Sequence, residues 1–210
     1  ELDPTMFSDP LPSYVITKTS RIMAGLGTIP RVVSIGEDIY RKKLTFKEAK
    51  QRIEDNYVPY HDTLSSLLNQ TRAKFGIALL IDCHSMPSTD TPPKSKFSVP
   101  LADIIIGDCH GKSCDPLITD TAEQICRDMG LSVARNKPYA GGYTTKHYGQ
   151  PKYNFHSLQI EIKRSLYMNE LRIERGPGLA QLIRQMRRLI NTMTTIDFSA
   201  IIAPTSIAAE

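Results

Sequence analysis

The middle of the chain alternates short apolar runs with amphipathic stretches. Residues 75–83 are almost continuously apolar and end in polar residues, a pattern typical of a buried central strand. The same reasoning predicts further strands at residues 102–107, 131–134 and 156–163. Helical spacing of apolar positions predicts helices at residues 115–129 and 178–193. Strands interleaved with helices indicate an α/β sandwich in which helices cover both faces of a mainly parallel sheet.

The first third of the chain has a weaker pattern. Residues 14–23 are compatible with helix or strand, and residues 31–35 form a short β-like run. Thr45 and Glu48 have the spacing of a capping box, which predicts the start of a long helix that extends to Ala73. Because Pro59 lies inside this stretch, we expect a kink there or a break into two helices.

Composition is that of a globular protein. The 210 residues suffice for one α/β domain, and we expect a single domain over residues 1–210. The net charge of +4 is spread along the chain and there is no tryptophan, so no nucleic-acid partner is indicated. No stretch approaches the roughly 20 apolar residues of a membrane span. The four cysteines lack CxxC spacing, which favours reduced thiols in a cytoplasmic protein.

His84 is the first candidate functional residue. It follows the predicted strand 75–83, and sites in α/β sheets lie beyond the carboxyl ends of strands. Neutral imidazole is a strong zinc ligand, so His84 is a candidate metal ligand. A hydrogen-bonded structural histidine is the equally weighted alternative. Asp82 should face away from Cys83 and orient a loop or cap a helix rather than bind a metal.

Glu161 is the second candidate, a carboxylate within the predicted strand 156–163. Alternation places Ser157, Gln159, Glu161 and Lys163 on one face of that strand. One interpretation is an edge strand with a solvated face. The other is that Glu161 points into a cleft and accepts a proton from metal-bound water, a role suited to a carboxylate near a cation.

A third candidate is the segment 140–149, within a stretch predicted as a loop over residues 137–153. Its glycines allow close backbone approach, and its Tyr, Thr, Lys and His side chains supply hydrogen-bond donors. Just before it, Arg135 and Asn136 offer a guanidinium fork and an amide to a carboxylate. The mixture favours a small anionic ligand over the alternative, a flexible surface loop.

Five phrases of the chain, taken together, resemble the N-formylglutamate amidohydrolase family and occur in the same order. They are Gly25-Leu-Gly-Thr-Ile-Pro-Arg-Val-Val33, Ile81-Asp-Cys-His-Ser-Met-Pro87, Gly111-Lys-Ser-Cys-Asp-Pro116, Ala140-Gly-Gly-Tyr-Thr-Thr-Lys-His-Tyr-Gly149 and Leu158-Gln-Ile-Glu-Ile-Lys-Arg-Ser-Leu-Tyr-Met-Asn-Glu170. The resemblance implies a three-layer α/β sandwich with a mixed, mainly parallel sheet, like that of zinc-dependent exopeptidases. It also implies hydrolysis of N-formyl-L-glutamate to formate and L-glutamate, late in histidine degradation.

The resemblance assigns roles residue by residue. It implies that His84 binds a zinc ion and that Glu161 is the catalytic carboxylate. The residues implied to line the substrate pocket are Arg135, Asn136, Tyr143, Thr144, Lys146 and His147. Lys146 stands where the family usually has arginine, so the charge is kept and the bidentate fork is lost.

One part of the family pattern is absent. Family members have an upstream Pro-His-Ser-Gly-like phrase and an acidic residue that complete the metal site, and residues 1–210 contain neither. The expectation is therefore a domain that lacks its N-terminal part. Two alternatives stay open: a related acyl-amino-acid amidohydrolase or carboxypeptidase-like enzyme, and a metal-free binding domain on the same scaffold.

Overall fold

The structure, a computed structural model, describes residues 1–33, 36–88 and 101–202. It divides into two compact units, Glu1–Leu64 and Ser65–Glu210. A single family domain over residues 1–210 stays a prediction, because a compact unit need not be a separate domain. Within the described ranges, no helix combines the length and the apolar character needed to cross a bilayer.

The first unit has a small apolar core of its own. It contains α1 (Ser20–Met23), α2 (Phe46–Arg52) and the beginning of α3 (Val58–Phe75). The buried apolar side chains of this core are Leu2, Met6, Phe7, Ile29, Leu44 and Ala49. The predicted β-like run at residues 31–35 is not a strand in its described part, since Val32 forms an isolated bridge there; residues 34 and 35 lie outside the described ranges.

The long helical prediction is confirmed. The hydroxyl of Thr45 accepts a hydrogen bond from the Glu48 N–H at 3.1 Å, and the Glu48 carboxylate accepts one from the Thr45 N–H at 2.7 Å. These two bonds form the capping box that begins α2. A π-helical turn, Ile53–Tyr57, connects α2 to α3. Pro59 is the second residue after this π-helical turn, so the predicted kink corresponds to a change of helix type just before the proline.

The second unit contains a four-stranded mixed sheet. Its strands are β1 (Ala78–Met86), β2 (Ile104–Gly107), β3 (Val133–Arg135) and β4 (Phe155–Lys163), in the spatial order β1-β4-β2-β3. β1 pairs in parallel with β4, and β2 pairs in parallel with β3, whereas β2 and β4 are antiparallel. The predicted mixed, mainly parallel sheet is confirmed, and β4 has a neighbouring strand on each side.

Strand boundaries differ slightly from the prediction. β1 continues to Met86, so the segment predicted as a loop from Ser85 to Ser98 begins with strand residues. The rest of that loop prediction falls mostly on residues 89–100, which lie outside the described ranges.

Helices cover both faces of the sheet. On one face, α4 (Pro116–Asp128) and α6 (Leu179–Met193) pack against β-strand side chains in the main core. The buried members of this core include Ile104, Ile106, Ile118, Ala122, Leu158, Ile160 and Leu189. On the other face lies α5 (Tyr143–Tyr148), which packs against β4 and β1. The layering agrees with a sandwich, while the likeness to zinc-dependent exopeptidases stays a prediction.

About half of the loop predicted at residues 137–153 is regular secondary structure. It contains α5 and a 3-10 turn at Pro151–Tyr153. Glycine and threonine have low helix propensity, and these residues favoured the loop prediction. Thr145 is fully buried and Tyr148 is nearly so, and burial against the sheet stabilises a helix that its sequence alone would not support.

Candidate active site

One face of the sheet brings the two main predicted residues together. Side chains alternate along a strand, so Asp82 and His84 of β1 share a face, as do Gln159 and Glu161 of β4. In the parallel pairing, Asp82 is opposite Gln159 and His84 is opposite Glu161. Neighbouring strands lie about 4.8 Å apart, so these pairs are direct neighbours. We call the surface formed by these four residues the polar face.

The polar face is not the solvated side of an edge strand, which corrects one interpretation of Glu161. β4 lies between β1 and β2, and Glu161 is only 7% exposed. Leu158 and Ile160 point to the opposite face and join the main core. Glu161 is therefore a buried carboxylate on an internal strand.

Burial has the expected effect on Glu161. Removal from water raises the pKa of its carboxyl above the ordinary value, and the nearby Asp82 carboxylate raises it further. His84, a hydrogen bond from Gln159 and the charge of Arg164 oppose this rise. An ionised carboxylate with a raised pKa accepts a proton more readily than an exposed one, which suits a general base.

His84 has a fixed partner on its own strand. Its Nε2 lies 3.1 Å from Oδ1 of Asp82, and the side chain is about half exposed, more than that of Asp82. The contact orients the imidazole beside Glu161. The sequence suggested that Asp82 orients a loop or caps a helix, whereas in the structure its carboxylate contacts the His84 imidazole. The i, i+2 spacing of Asp82 and His84 on a strand was the available signal.

Helix α5 places most of the predicted substrate residues on the side of the sheet that carries the polar face. Thr145 is buried and its hydroxyl lies 3.4 Å from Oε1 of Gln159. Tyr143, Lys146 and His147 are exposed, and the rings of Tyr143 and His147 stack with centroids 5.0 Å apart. Thr144 is partly exposed. The exposed side of α5 thus presents two aromatic rings and a cation.

Asn136 has a structural environment instead. Its Oδ1 accepts hydrogen bonds from the N–H groups of Asp108 and His110, at 3.1 and 3.3 Å. Its Nδ2 donates to Oδ1 of Asp108 at 2.8 Å. These bonds engage both ends of the amide and hold the turn after β2. The structure therefore gives Asn136 a supporting role at this turn, and its substrate contact stays a prediction.

Arg135 lies on the opposite face from Glu161. It is paired with Ile106 in the sheet, and Ile106 is paired with Ile160, a core residue. Its guanidinium forms ion pairs with Asp120, at 2.6 Å, and with Glu123, both on α4. Because α4 covers that face, the structure does not bring Arg135 to the predicted substrate pocket.

The cysteines are free thiols, as predicted. Burial raises the pKa of Cys114 to about 12 and that of Cys126 to about 11, so both are protonated and poor nucleophiles. These two thiols are packing residues of the main core.

The residues of the polar face and α5 all lie in the part of the chain, residues 1–168, that matches the family model described as N-formylglutamate amidohydrolase. The chain belongs to the N-formylglutamate amidohydrolase family.

Individual relatives agree with the family assignment. The N-formylglutamate deformylase of Pseudomonas putida is 35% identical over 150 residues, covering 70% of this chain and 55% of the relative. That of Pseudomonas aeruginosa is 33% identical over 166 residues, covering 78% and 59%. The crystal structure of N-formylglutamate amidohydrolase from Ralstonia eutropha JMP134 has a TM-score of 0.83 and 34% identity, covering 92% of this chain and 69% of that one. The chain spans a little over half the length of the curated relatives it matches.

A zinc ion is the cofactor that the family resemblance implies. In residues 1–33, 36–88 and 101–202, no group of three or more His, Cys, Asp or Glu side chains is placed to hold a metal ion. Catalytic zinc normally has three protein ligands. His84 offers one, and its Nε2 already faces Asp82. The described residues therefore do not form a complete zinc site by themselves.

Proposed function

We propose that this chain forms part of an enzyme that hydrolyses the formyl amide of N-formyl-L-glutamate to formate and L-glutamate. The observation that carries the proposal is the in-register pairing of His84 with the buried Glu161 on one face of the sheet. The relatives named N-formylglutamate deformylase support the choice of substrate. We place the reaction late in histidine degradation, in the cytoplasm.

Glu161 is the general base in this proposal. Its ionised carboxylate accepts a proton from a water molecule whose oxygen attacks the formyl carbon. The carbon–nitrogen bond then breaks, Glu161 returns the proton to the leaving nitrogen, and formate and L-glutamate are released. Proton transfer by a positioned side chain contributes about 10²- to 10⁴-fold to the rate.

His84, oriented by Asp82, is proposed as one ligand of a zinc ion. When bound, such an ion polarises a carbonyl and lowers the pKa of water. The steps given above use Glu161 and water alone, because the described residues do not complete the ligand set. A zinc competition titration of the protein that contains this chain tests the assignment without an activity assay. His84→Asn should bind zinc more weakly than the wild type, and equal affinity would contradict the role of His84.

We propose that α5 binds the two carboxylates of the substrate. Lys146 supplies a positive charge, and Tyr143, Thr144 and His147 supply hydrogen-bond donors on the same short helix. Binding of the two carboxylates orients the formyl group relative to Glu161, and this orientation raises the rate of the reaction.

Formate release by the protein that contains this chain tests the proposal directly. N-formyl-L-glutamate should be cleaved in preference to N-acetyl-L-glutamate and N-formyl-L-leucine, and Glu161→Gln should lower kcat about 10²- to 10⁴-fold. Lys146→Met should raise KM, whereas the matched charge removal Lys152→Met, next to Tyr153, should not. A preference for N-acetyl-L-glutamate would instead indicate a related acyl-amino-acid amidohydrolase. No formate release, or full activity of Glu161→Gln, would contradict the proposed function.

A further inference from the structure

Gln159 is the most buried residue of the polar face and has no role in the reaction as described. It is 4% exposed and lies two residues before Glu161 on β4. Its Nε2 donates a hydrogen bond to Oε1 of Glu161 at 2.8 Å. Its Oε1 accepts a hydrogen bond from the N–H of Gly142 at 2.7 Å and lies 3.4 Å from the hydroxyl of Thr145.

The orientation of the Gln159 amide follows from these partners. A backbone N–H can only donate, so the group that faces Gly142 must be the amide oxygen. The NH₂ group must then face Glu161, where it can only donate to the carboxylate. The main chain at the beginning of α5 thus determines which end of the amide reaches Glu161.

Glycines permit this close approach of α5 to the sheet. A Cβ on Gly107 would lie 2.7 Å from the carbonyl carbon of Ala140, and a Cβ on Gly142 would lie 3.3 Å from Oε1 of Gln159. The first contact is a severe clash with backbone, so the segment before α5 can reach the sheet only over a glycine. The packing of α5 on the sheet and the hydrogen bond from the Gly142 N–H to Gln159 both depend on this close approach.

We propose that Gln159 is a positioning residue that fixes the Glu161 carboxylate relative to α5, the helix that carries the proposed substrate contacts. The inference rests on the proposed function. Gln159 holds one carboxylate oxygen, Oε1, and leaves Oε2 to accept the proton of the attacking water. The general base on β4 then has a fixed position relative to a substrate bound on α5. Misplacement of a reacting group by about 1 Å can lower the rate about 100-fold.

Gln159→Leu tests the proposal because it keeps the size of the side chain and removes both hydrogen bonds. We expect kcat for formate release to fall about 10- to 100-fold while KM stays within about twofold. Gln185→Leu is the matched control, since it removes one amide hydrogen bond, to the carbonyl of Met129, on the α6 side of the sheet. This control should keep kcat. Equal losses in both variants would indicate a general effect on stability and overturn the inference.

The Glu161→Gln background separates positioning from other roles. If Gln159 acts only through Glu161, adding Gln159→Leu to Glu161→Gln should leave the residual kcat unchanged. A further loss of the same size as in the wild-type background would overturn the inference. If Glu161→Gln is fully active, the proposed function itself fails. If Glu161→Gln is inactive but Gln159→Leu keeps the wild-type kcat, only the role of Gln159 fails.

A spectroscopic measurement tests the hydrogen bond without turnover. The side-chain NH₂ signals of Gln159 can be assigned in a ¹H–¹⁵N spectrum of the full chain by their absence in Gln159→Leu. We expect them to shift in Glu161→Ala, which removes the acceptor, and to stay in place in Gln185→Leu. Unchanged Gln159 signals in Glu161→Ala would show that the amide does not hold the carboxylate.

Discussion

Replacement of Asn136 separates its structural role from the substrate contact that the sequence suggested. Asn136→Ala removes the hydrogen bond to the Asp108 carboxylate and the two bonds accepted from the N–H groups of Asp108 and His110. A bond to a charged group contributes about 1.5–3 kcal/mol and a neutral one about 0.5–1.5 kcal/mol, part of which water replaces at this half-buried position. Asn136 also has a φ of +58°, and alanine is disfavoured there by about 1 kcal/mol. The expected loss of unfolding free energy is about 2–4 kcal/mol.

Urea denaturation and formate-release kinetics measure the two possible roles side by side. Asn136→Ala should lower the free energy of unfolding, with KM for N-formyl-L-glutamate unchanged under conditions where the variant is folded. Asn136→Gly is the matched control, because glycine tolerates the positive φ, and it should be about 1 kcal/mol more stable than Asn136→Ala. A raised KM in Asn136→Ala with no loss of stability would refute the structural reasoning and restore Asn136 as a substrate ligand.

Two further outcomes are expected. Arg135→Ala should leave KM unchanged and lower the free energy of unfolding by at most about 1 kcal/mol per ion pair, since its pairs with α4 are partly exposed; a large rise in KM in formate-release assays would contradict this. The second outcome concerns Glu161, whose pKa burial raises above 4.5. Between pH 4.5 and the folded pKa, the folded state therefore keeps a proton that the unfolded state has lost. The free energy of unfolding of the wild type consequently falls as the pH rises through this range. In urea denaturation, Glu161→Gln should therefore gain stability relative to the wild type between pH 4 and pH 7, whereas a relative loss would contradict the effect of burial.

The strands and longer helices could be predicted because their patterns are local. The apolar run before His84 and the Thr45–Glu48 capping box each identify their element without knowledge of the rest of the chain. Helix α5 could not be predicted in this way, since Thr145 and Tyr148 favour a helix only once they are buried against the sheet. Tertiary contacts overrode a weak intrinsic propensity there.

The candidate site was predictable in part for a similar reason. Alternation predicted that Gln159 and Glu161 share a face, but not which strand lies beside them, because strand pairing is set by the whole fold. The face of the sheet to which Arg135 points could not be predicted either, since it depends on the position of Asp120 and Glu123 on α4. Sequence resemblance identified His84 and Glu161 as functional candidates, and the sheet register shows that they are neighbours.

A double-mutant cycle on His84 and Glu161 tests the central claim that these paired side chains belong to one catalytic site. The quantity to measure is kcat/KM for formate release from N-formyl-L-glutamate by His84→Asn, Glu161→Gln and the double variant. Residues that act as a unit give strongly non-additive effects, so the account predicts that the double variant is no slower than the slower single variant. The account would be contradicted if the fold-losses in kcat/KM of the two single variants multiplied in the double variant, or if Glu161→Gln had the wild-type rate.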